Sequence, residues 1–151
     1  MSRNTVRVDQ IVKKIANSKS VERKMSSIVY KNFERERRKV INEFESHPVT
    51  KELEMGPDAN NISGTTHGIG NLYSFIGFPQ GANPVEPVRK LMMGIKISRR
   101  PQKTVISKNK IEKVYKVYSP GMSDFQAETP MPWETGLSWV RGGERGISGV
   151  G

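Results

Sequence analysis

The sequence contains no cysteine, and only two of its 151 residues are histidine. The lack of cysteine excludes disulfides, thiolate metal sites and a cysteine nucleophile. His47 and His67 form no metal-binding motif such as His-Glu-x-x-His. A metal or catalytic site built on histidine is therefore disfavoured. We expect both side chains to make capping or loop hydrogen bonds instead.

Hydrophobic residues are also scarce, at 34% of the chain, where nearly half is typical of a globular domain. No apolar run approaches the roughly 20 residues that a membrane-spanning helix needs. The first residues lead into an amphipathic segment, so we expect neither a secretory signal nor a membrane partner. The 14 glycines and nine prolines indicate many loops and extended segments. We expect such a chain to complete its burial against partners.

What the sequence does contain is positive charge, and this charge is arranged in blocks. The net charge is +10, with +6 in residues 1–45 and +9 in residues 89–116. The intervening residues 46–88 carry −3 and residues 117–151 carry −2. Blocks of opposite sign favour docking to a partner, and a strongly basic block can also face nucleic acid.

The N-terminal third of the chain has the apolar periodicity of helix. The polar run 17–20 interrupts this pattern, which predicts a short helix, a kink and then a long helix of about 25 residues. His47-Pro48 ends the long helix, because a residue that precedes proline is pushed out of the α region. Residues 84–93 predict a further short helix, which Gly94 closes.

Glycine-rich residues 56–71 have the composition of an exposed loop. The apolar run 72–78 after this loop predicts a strand. A three-stranded antiparallel meander is predicted for residues 95–98, 104–107 and 113–118. The 72–78 strand could join it.

These elements predict an α+β fold. An N-terminal helix or helix pair packs on a small, mainly antiparallel sheet, and an extended C-terminal arm follows. The expected division is a helix-plus-sheet assembly domain at residues 1–118 and a Gly/Pro/Trp-rich arm at residues 119–151.

Enzyme chemistry finds little support in the sequence. Residues 64–70 are glycine-rich, but they lack the Gly-Lys-Ser/Thr ending of a phosphate-binding loop, and no strand precedes them. Glu52 and Glu54 lie in a segment after the long helix, where we expect solvated carboxylates. We therefore expect no catalytic residue, no metal and no cofactor.

The basic segment 89–116 is the strongest electrostatic feature. Its turns would present cations to a partner such as DNA, and the candidates are Arg99, Arg100, Lys103, Lys108 and Lys110. Neutralisation of nucleic-acid phosphates is one explanation. Contact with the acidic rim of a protein partner, or protection of an edge strand, is the other explanation, and we favour it.

Three aromatic residues are candidate interface anchors. Trp133 and Trp139 lie in the Gly/Pro-rich C-terminal segment, and Phe78 ends the apolar run before it. Large aromatic side chains are the preferred anchors of protein interfaces. We expect the two tryptophans to contact a neighbouring subunit rather than their own core.

The chain resembles the virion structural proteins of tailed bacteriophages. The resemblance is carried by an N-terminal helical region and a Gly-rich loop, followed by residues 71–78 (NLYSFIGF), 81–91 (GANPVEPVRKL) and 132–149 (PWETGLSWVRGGERGISG). In the order of its elements the chain is similar to neck and tail-completion proteins. The resemblance implies a homo-oligomeric ring that joins the portal or connector of the head to the tail tube or sheath.

The resemblance also implies residence in the virion, with assembly in the host cytoplasm. The resemblance is compatible with three positions in the particle, namely connector, tail terminator and minor capsid protein. A basic nucleic-acid-binding protein is the alternative, and a small enzyme that uses His47 or His67 is disfavoured.

Overall fold

The computed structural model of the chain describes residues 7–107 and 110–145. In these ranges the helices are Val8–Ala16 (α1), Lys19–Ser46 (α2), Pro48–Met55 (α3), Leu72–Ile76 (α4), Val85–Met93 (α5), Met122–Glu128 (α6) and Trp139–Arg145 (α7). The strands are Lys96–Ile97 (β1), Lys103–Ser107 (β2), Lys110–Val114 (β3) and Val117–Tyr118 (β4). The predicted α+β class is confirmed.

The chain divides into two compact units, each built from segments that are distant in sequence. The first unit comprises residues 1–37 and 96–118, and the second comprises residues 38–95 and 119–151. The boundary therefore falls within α2, whereas the sequence suggested a division at residue 118. The C-terminal segment belongs to the second unit, and its described part contains α6 and α7 rather than extended chain alone.

In the first unit, α1 and the N-terminal part of α2 pack on the strands, as the sequence predicted. Ala16 at the end of α1 is fully buried. Ser26 and Tyr115 share a hydrogen bond of 2.7 Å between their hydroxyls. The Lys113 ammonium lies 3.6 Å from the Glu22 carboxylate, and its side chain is only 3% exposed. These contacts join α2 to β3 and to the residues that follow it.

The strands form an interrupted two-stranded ribbon. β1 pairs with β4, and β2 pairs with β3, both antiparallel. Five residues, 98–102, separate β1 from β2, whereas two residues, 115–116, separate β3 from β4. The first arm of the ribbon thus carries three extra residues in a bulge, and a bulge interrupts pairing. The predicted three-stranded meander is wrong, because β1 pairs with β4 rather than with β2.

The second unit has a small apolar core. Its buried members come from α3, α4, α5 and the segment between α6 and α7, and they are Leu53, Leu72, Tyr73, Ile76, Val85 and Met131. The Tyr73 hydroxyl donates to the backbone oxygens of Pro79 at 2.6 Å and Ala82 at 3.0 Å. These bonds satisfy the polar end of a buried ring and fix the turn that leads into α5.

The predicted strand at 72–78 is wrong, because residues 72–76 form the short helix α4. Asn71 caps its N-terminus, and its Oδ1 accepts a hydrogen bond of 2.9 Å from the Ser74 amide. Gly77 ends the helix in the left-handed conformation at a φ of 86°, which glycine adopts without a Cβ penalty. The two capping residues, rather than the apolar run between them, determine the local structure.

The other helix predictions are confirmed. The break between α1 and α2 lies at residues 17–18, and α2 ends at Ser46. His47 caps α3, because its Nδ1 accepts from the Val49 amide at 3.3 Å, and Pro48 occupies the first turn. The expected capping role of His47 is thus confirmed. Helix α5 begins at Val85 and Gly94 forms its C-cap.

Candidate functional site

Charge is separated between the two units. The first unit contains 18 Lys and Arg against five Asp and Glu, a net charge of +13. The second contains seven against ten, a net charge of −3. The separation arises because the chain leaves the first unit after residue 37 and returns to it at residue 96. Most residues of the two basic blocks of the sequence therefore lie in the same unit.

The structure places the candidate cations on the ribbon of the basic unit. Arg99 and Arg100 are exposed in the bulge, and Lys103 is exposed at the start of β2. None of the three forms an ion pair with another residue that the structure describes. Lys110 is exposed and pairs with Glu112. Lys108 lies outside the described residues.

The register of the ribbon decides which of these cations share a face. Lys103 lies opposite Val114, and Ser107 lies opposite Lys110. Because directly opposed residues and alternate residues project to the same side, Lys103 and Lys110 share one exposed face at its two ends. Lys113 lies on the other face, where it meets α2. Glu112, opposite Val105, lies on the same face and pairs with Lys110, so Lys103 supplies the unpaired positive charge of this face among the residues of the two strands that the structure describes.

Trp133 lies against its own chain in the second unit. Its indole Nε1 donates a hydrogen bond of 2.6 Å to the backbone oxygen of Ile76, at the end of α4. A Cβ atom at Gly77 would lie 3.2 Å from the Cδ1 atom of the indole. The ring is still about half exposed. Trp133 thus caps α4 with one edge and retains free aromatic surface.

Phe78 and Trp139 are brought together at the edge of the core. Their ring centroids are 5.9 Å apart in an edge-to-face arrangement at 87°. Phe78 also contacts the ring of Tyr73, at a centroid distance of 5.4 Å. Both side chains are half-buried, so the contacts shown for these two candidate anchors are with their own unit.

An apolar pocket opens beside this aromatic group. It has a volume of about 770 Å³, and its lining includes His47, His67, Ile69, Phe75 and Trp139. The side chains of Ile69 and Phe75 are exposed. The pocket therefore brings together the two histidines of the sequence and one of the three aromatic anchors. Such a mainly apolar cavity with a few polar groups is suited to binding an apolar ligand or side chain.

A buried carboxylate holds the backbone on either side of the loop residues that line this pocket. Glu52 is fully buried, so the expected solvated position is wrong for this residue. Its Oε1 accepts from the Leu72 amide at 2.6 Å, and its Oε2 accepts from the Ser63 amide at 2.7 Å. Burial alone raises the pKa of the Glu52 carboxyl, but the hydrogen bonds from Ser63, Leu72 and Ile62 outweigh it and lower the pKa.

Asn71 supports the same loop from the other side. Its side chain is buried, and Nδ2 donates to the backbone oxygens of Pro57 at 2.7 Å and Ala59 at 2.9 Å. The glycine-rich loop is therefore anchored by two buried polar side chains. In the sequence, the cue for Asn71 is an N-cap residue type before an apolar run. No cue in the sequence distinguishes Glu52 from the exposed glutamates around it.

A second polar cluster surrounds Arg89 on α5. Its Nε and one terminal nitrogen bind both oxygens of Glu45, at 2.7 and 3.0 Å. The guanidinium also binds Glu86 at 2.9 Å and contacts Glu54. These hydrogen bonds lower the pKa of the Glu45 carboxyl and raise the pKa of Arg89. In the sequence Arg89 belongs to the basic block, but its charge is neutralised by carboxylates of its own unit.

Comparison with protein-family models, with curated proteins and with solved structures finds no match to the chain. In the described ranges, no three histidine or carboxylate side chains are grouped so that they could hold a metal ion. Among the helices of the same ranges, none combines the length and the apolar character that crossing a bilayer requires.

Proposed function

We propose that the chain is a non-enzymatic structural subunit of a tailed-phage particle, a ring-forming neck or tail-completion protein that joins head to tail. The observation that carries this proposal is the distribution of apolar side chains. Among the residues that the structure describes, 18 large hydrophobic side chains are exposed, whereas nine hydrophobic residues are buried. Where such side chains adjoin one another, they offer apolar surface that a partner can bury.

The separation of charge supports the same proposal. A subunit with a basic unit and a mildly acidic unit presents complementary surfaces to identical copies. Repeated contact between two different surfaces closes into a ring when the rotation permits. The proposed partners are copies of the chain and the neighbouring portal or connector, tail tube or sheath proteins. The proposed location is the virion, after assembly in the host cytoplasm.

Electron microscopy of purified protein and of purified phage particles tests this function. We expect ring-shaped particles of the isolated protein, and we expect its peptides in mass spectra of intact virions. A chain that stays monomeric in solution and is absent from virions would rule the proposal out.

A second candidate function is favoured by Arg99, Arg100 and Lys103. These exposed cations make no ion pair in the described part of the chain, so they are free to neutralise phosphates. A basic nucleic-acid-binding or minor capsid protein would use them in this way, without sequence specificity. The same residues could also face DNA that passes through the lumen of a ring.

A salt titration of DNA binding separates the two candidates. A dedicated DNA-binding protein should bind tightly at physiological ionic strength and lose affinity steeply with added salt. Replacing both Arg99 and Arg100 by alanine should then reduce the slope of log K against log salt by about two. Replacement of the exposed Lys51 in the acidic unit is the matched control. Weak binding that does not respond to the arginine pair favours the structural subunit.

A further inference from the structure

The first helix carries an apolar stripe that the structure leaves about half exposed. Val8, Ile11 and Ile15 on α1 have exposed fractions of 62%, 45% and 46%. Their spacing of i, i+3 and i+7 places them on one side of the helix. Ala16, by contrast, is fully buried. Helix α1 thus packs on its own unit through Val12 and Ala16, and the three exposed side chains form an apolar ridge on another side of the helix.

The pocket of the acidic unit has the complementary character. Its floor and walls include the exposed side chains of Ile69 and Phe75 together with Trp139. A groove of this kind receives an amphipathic helix through anchors spaced at i, i+3, i+4 and i+7. The chain therefore carries both a ridge with this spacing and an apolar pocket of about 770 Å³.

We propose that α1 of one copy docks into the apolar pocket of the next copy, so that Ile11 and its neighbours contact Phe75. This inference rests on the proposed function, because it assigns the interface of the ring. Charge selects a second copy as the occupant: α1 belongs to a unit of net charge +13, and the pocket belongs to a unit of net charge −3. Opposite charges steer the two surfaces together.

The proposed contact joins two different surfaces, and this determines how the copies can assemble. Each copy offers one ridge and one pocket, so the contact is head-to-tail and can propagate to a third copy. An interface that paired α1 with α1 would instead stop at a dimer. The two arrangements respond differently to substitutions on the ridge and in the pocket.

Three single substitutions and one mixture of two of them test the interface, with size measured by analytical ultracentrifugation. Ile11→Glu places a charge on the ridge, and Phe75→Glu places one in the pocket. Both positions are exposed, and Ile69→Glu is a second pocket variant. Each should raise the dissociation constant for self-association by more than about tenfold. Circular dichroism spectra should match the unmodified chain.

The mixture of Ile11→Glu with Phe75→Glu is the decisive sample. One partner keeps its pocket and the other keeps its ridge, so a single docked contact remains, and we expect a 1:1 dimer that does not grow. Ile28→Glu on α2 is the matched control, since Ile28 is also an exposed isoleucine on a helix. It should associate like the unmodified chain.

The results distinguish a failure of the proposed interface from a failure of the proposed function. Rings that persist in both Ile11→Glu and Phe75→Glu overturn the docking of α1 and leave the proposed function standing. The docking is also overturned if Phe75→Glu alone still associates, as an α1–α1 contact requires, or if Ile28→Glu dissociates like the others. An unmodified chain that is monomeric at every concentration counts against the proposed function itself.

Discussion

The Oε1 atom of buried Glu52 accepts a hydrogen bond of 2.6 Å from the backbone amide of Leu72, while its Oε2 accepts one of 2.7 Å from Ser63. One carboxylate on α3 thus holds the glycine-rich loop near its middle and directly after its C-terminal end. This loop carries His67 and Ile69, which line the apolar pocket. Because the backbone donors satisfy the buried charge, the loop keeps a defined shape despite its glycine content.

Replacement of Glu52 by glutamine should destabilise the protein by about 2 to 3 kcal/mol. The amide can accept through one oxygen only, so a backbone donor on Ser63 or Leu72 is left buried without a partner. Urea unfolding followed by circular dichroism measures the loss. Glu43→Gln, at an exposed position on α2, should change the free energy of unfolding by less than about 0.5 kcal/mol. Equal effects of the two substitutions would contradict the anchoring role.

The free energy of unfolding should fall as the pH drops. Because the folded-state pKa of Glu52 lies below its ordinary value, the unfolded state binds the proton more readily. The stabilisation is therefore present above the unfolded pKa of about 4.3 and is lost as the pH falls through the folded pKa. Glu45, whose pKa is also lowered, contributes with the same sign.

Urea unfolding of the unmodified chain and of Glu52→Gln, between about pH 3 and pH 7, isolates the Glu52 contribution. The stability difference between the two proteins should shrink in acid, because a protonated Glu52 resembles the amide. A difference that stays constant across this range would show that ionisation of Glu52 does not stabilise the fold.

Arg89→Lys should destabilise the second unit by about 1 to 2 kcal/mol. Lysine keeps the charge but cannot reproduce the planar fork that binds both oxygens of Glu45. The loss is smaller than for a fully buried pair, because the carboxylates of Glu54 and Glu86 are more than a third exposed. Thermal unfolding in low and high salt measures it.

Arg35→Lys is the control for Arg89, because Arg35 pairs with Glu36 on an exposed helix surface. This substitution should cost less than about 0.5 kcal/mol. If Arg89→Lys changes the free energy of unfolding as little as this control, the cluster around Arg89 does not stabilise the unit.

Gly77→Ala should destabilise the protein more than Gly81→Ala. Both glycines have a left-handed backbone, with φ of 86° and 84°, so each substitution costs about 1 to 2 kcal/mol for conformation. A Cβ atom at Gly77 also crowds the Trp133 indole, whereas the space beside Gly81 is open.

The difference between the two glycine variants in thermal unfolding reports the packing of Trp133 on α4, and tryptophan fluorescence should shift only in Gly77→Ala. Equal losses of stability in the two variants would indicate that the Trp133 indole does not pack against Gly77 in solution.

The sequence predicts the long elements of this fold well and the short ones poorly. The kink before α2, its end at Ser46 and the helix at α5 follow from apolar periodicity and from proline positions. The apolar run 72–78 predicts a strand although residues 72–76 are helical, because so short a run has no readable period. The capping residues Asn71 and Gly77 could have corrected that assignment.

The candidate site could be predicted only in part. The charge of Arg99, Arg100 and Lys103 suggests that they are exposed, and they are. His47 caps a helix as expected. The burial of Glu52 could not be predicted, because a buried glutamate and a solvated one are identical in sequence. The ribbon register could not be predicted either, since it depends on three extra residues in one arm of the ribbon.

The central claim is that identical copies complete the burial of this chain, and native mass spectrometry tests it most directly. We expect a dominant species whose mass is a whole multiple of 17.0 kDa and larger than a dimer. A single species of 17.0 kDa at every protein concentration, with a cooperative unfolding transition, would contradict the claim.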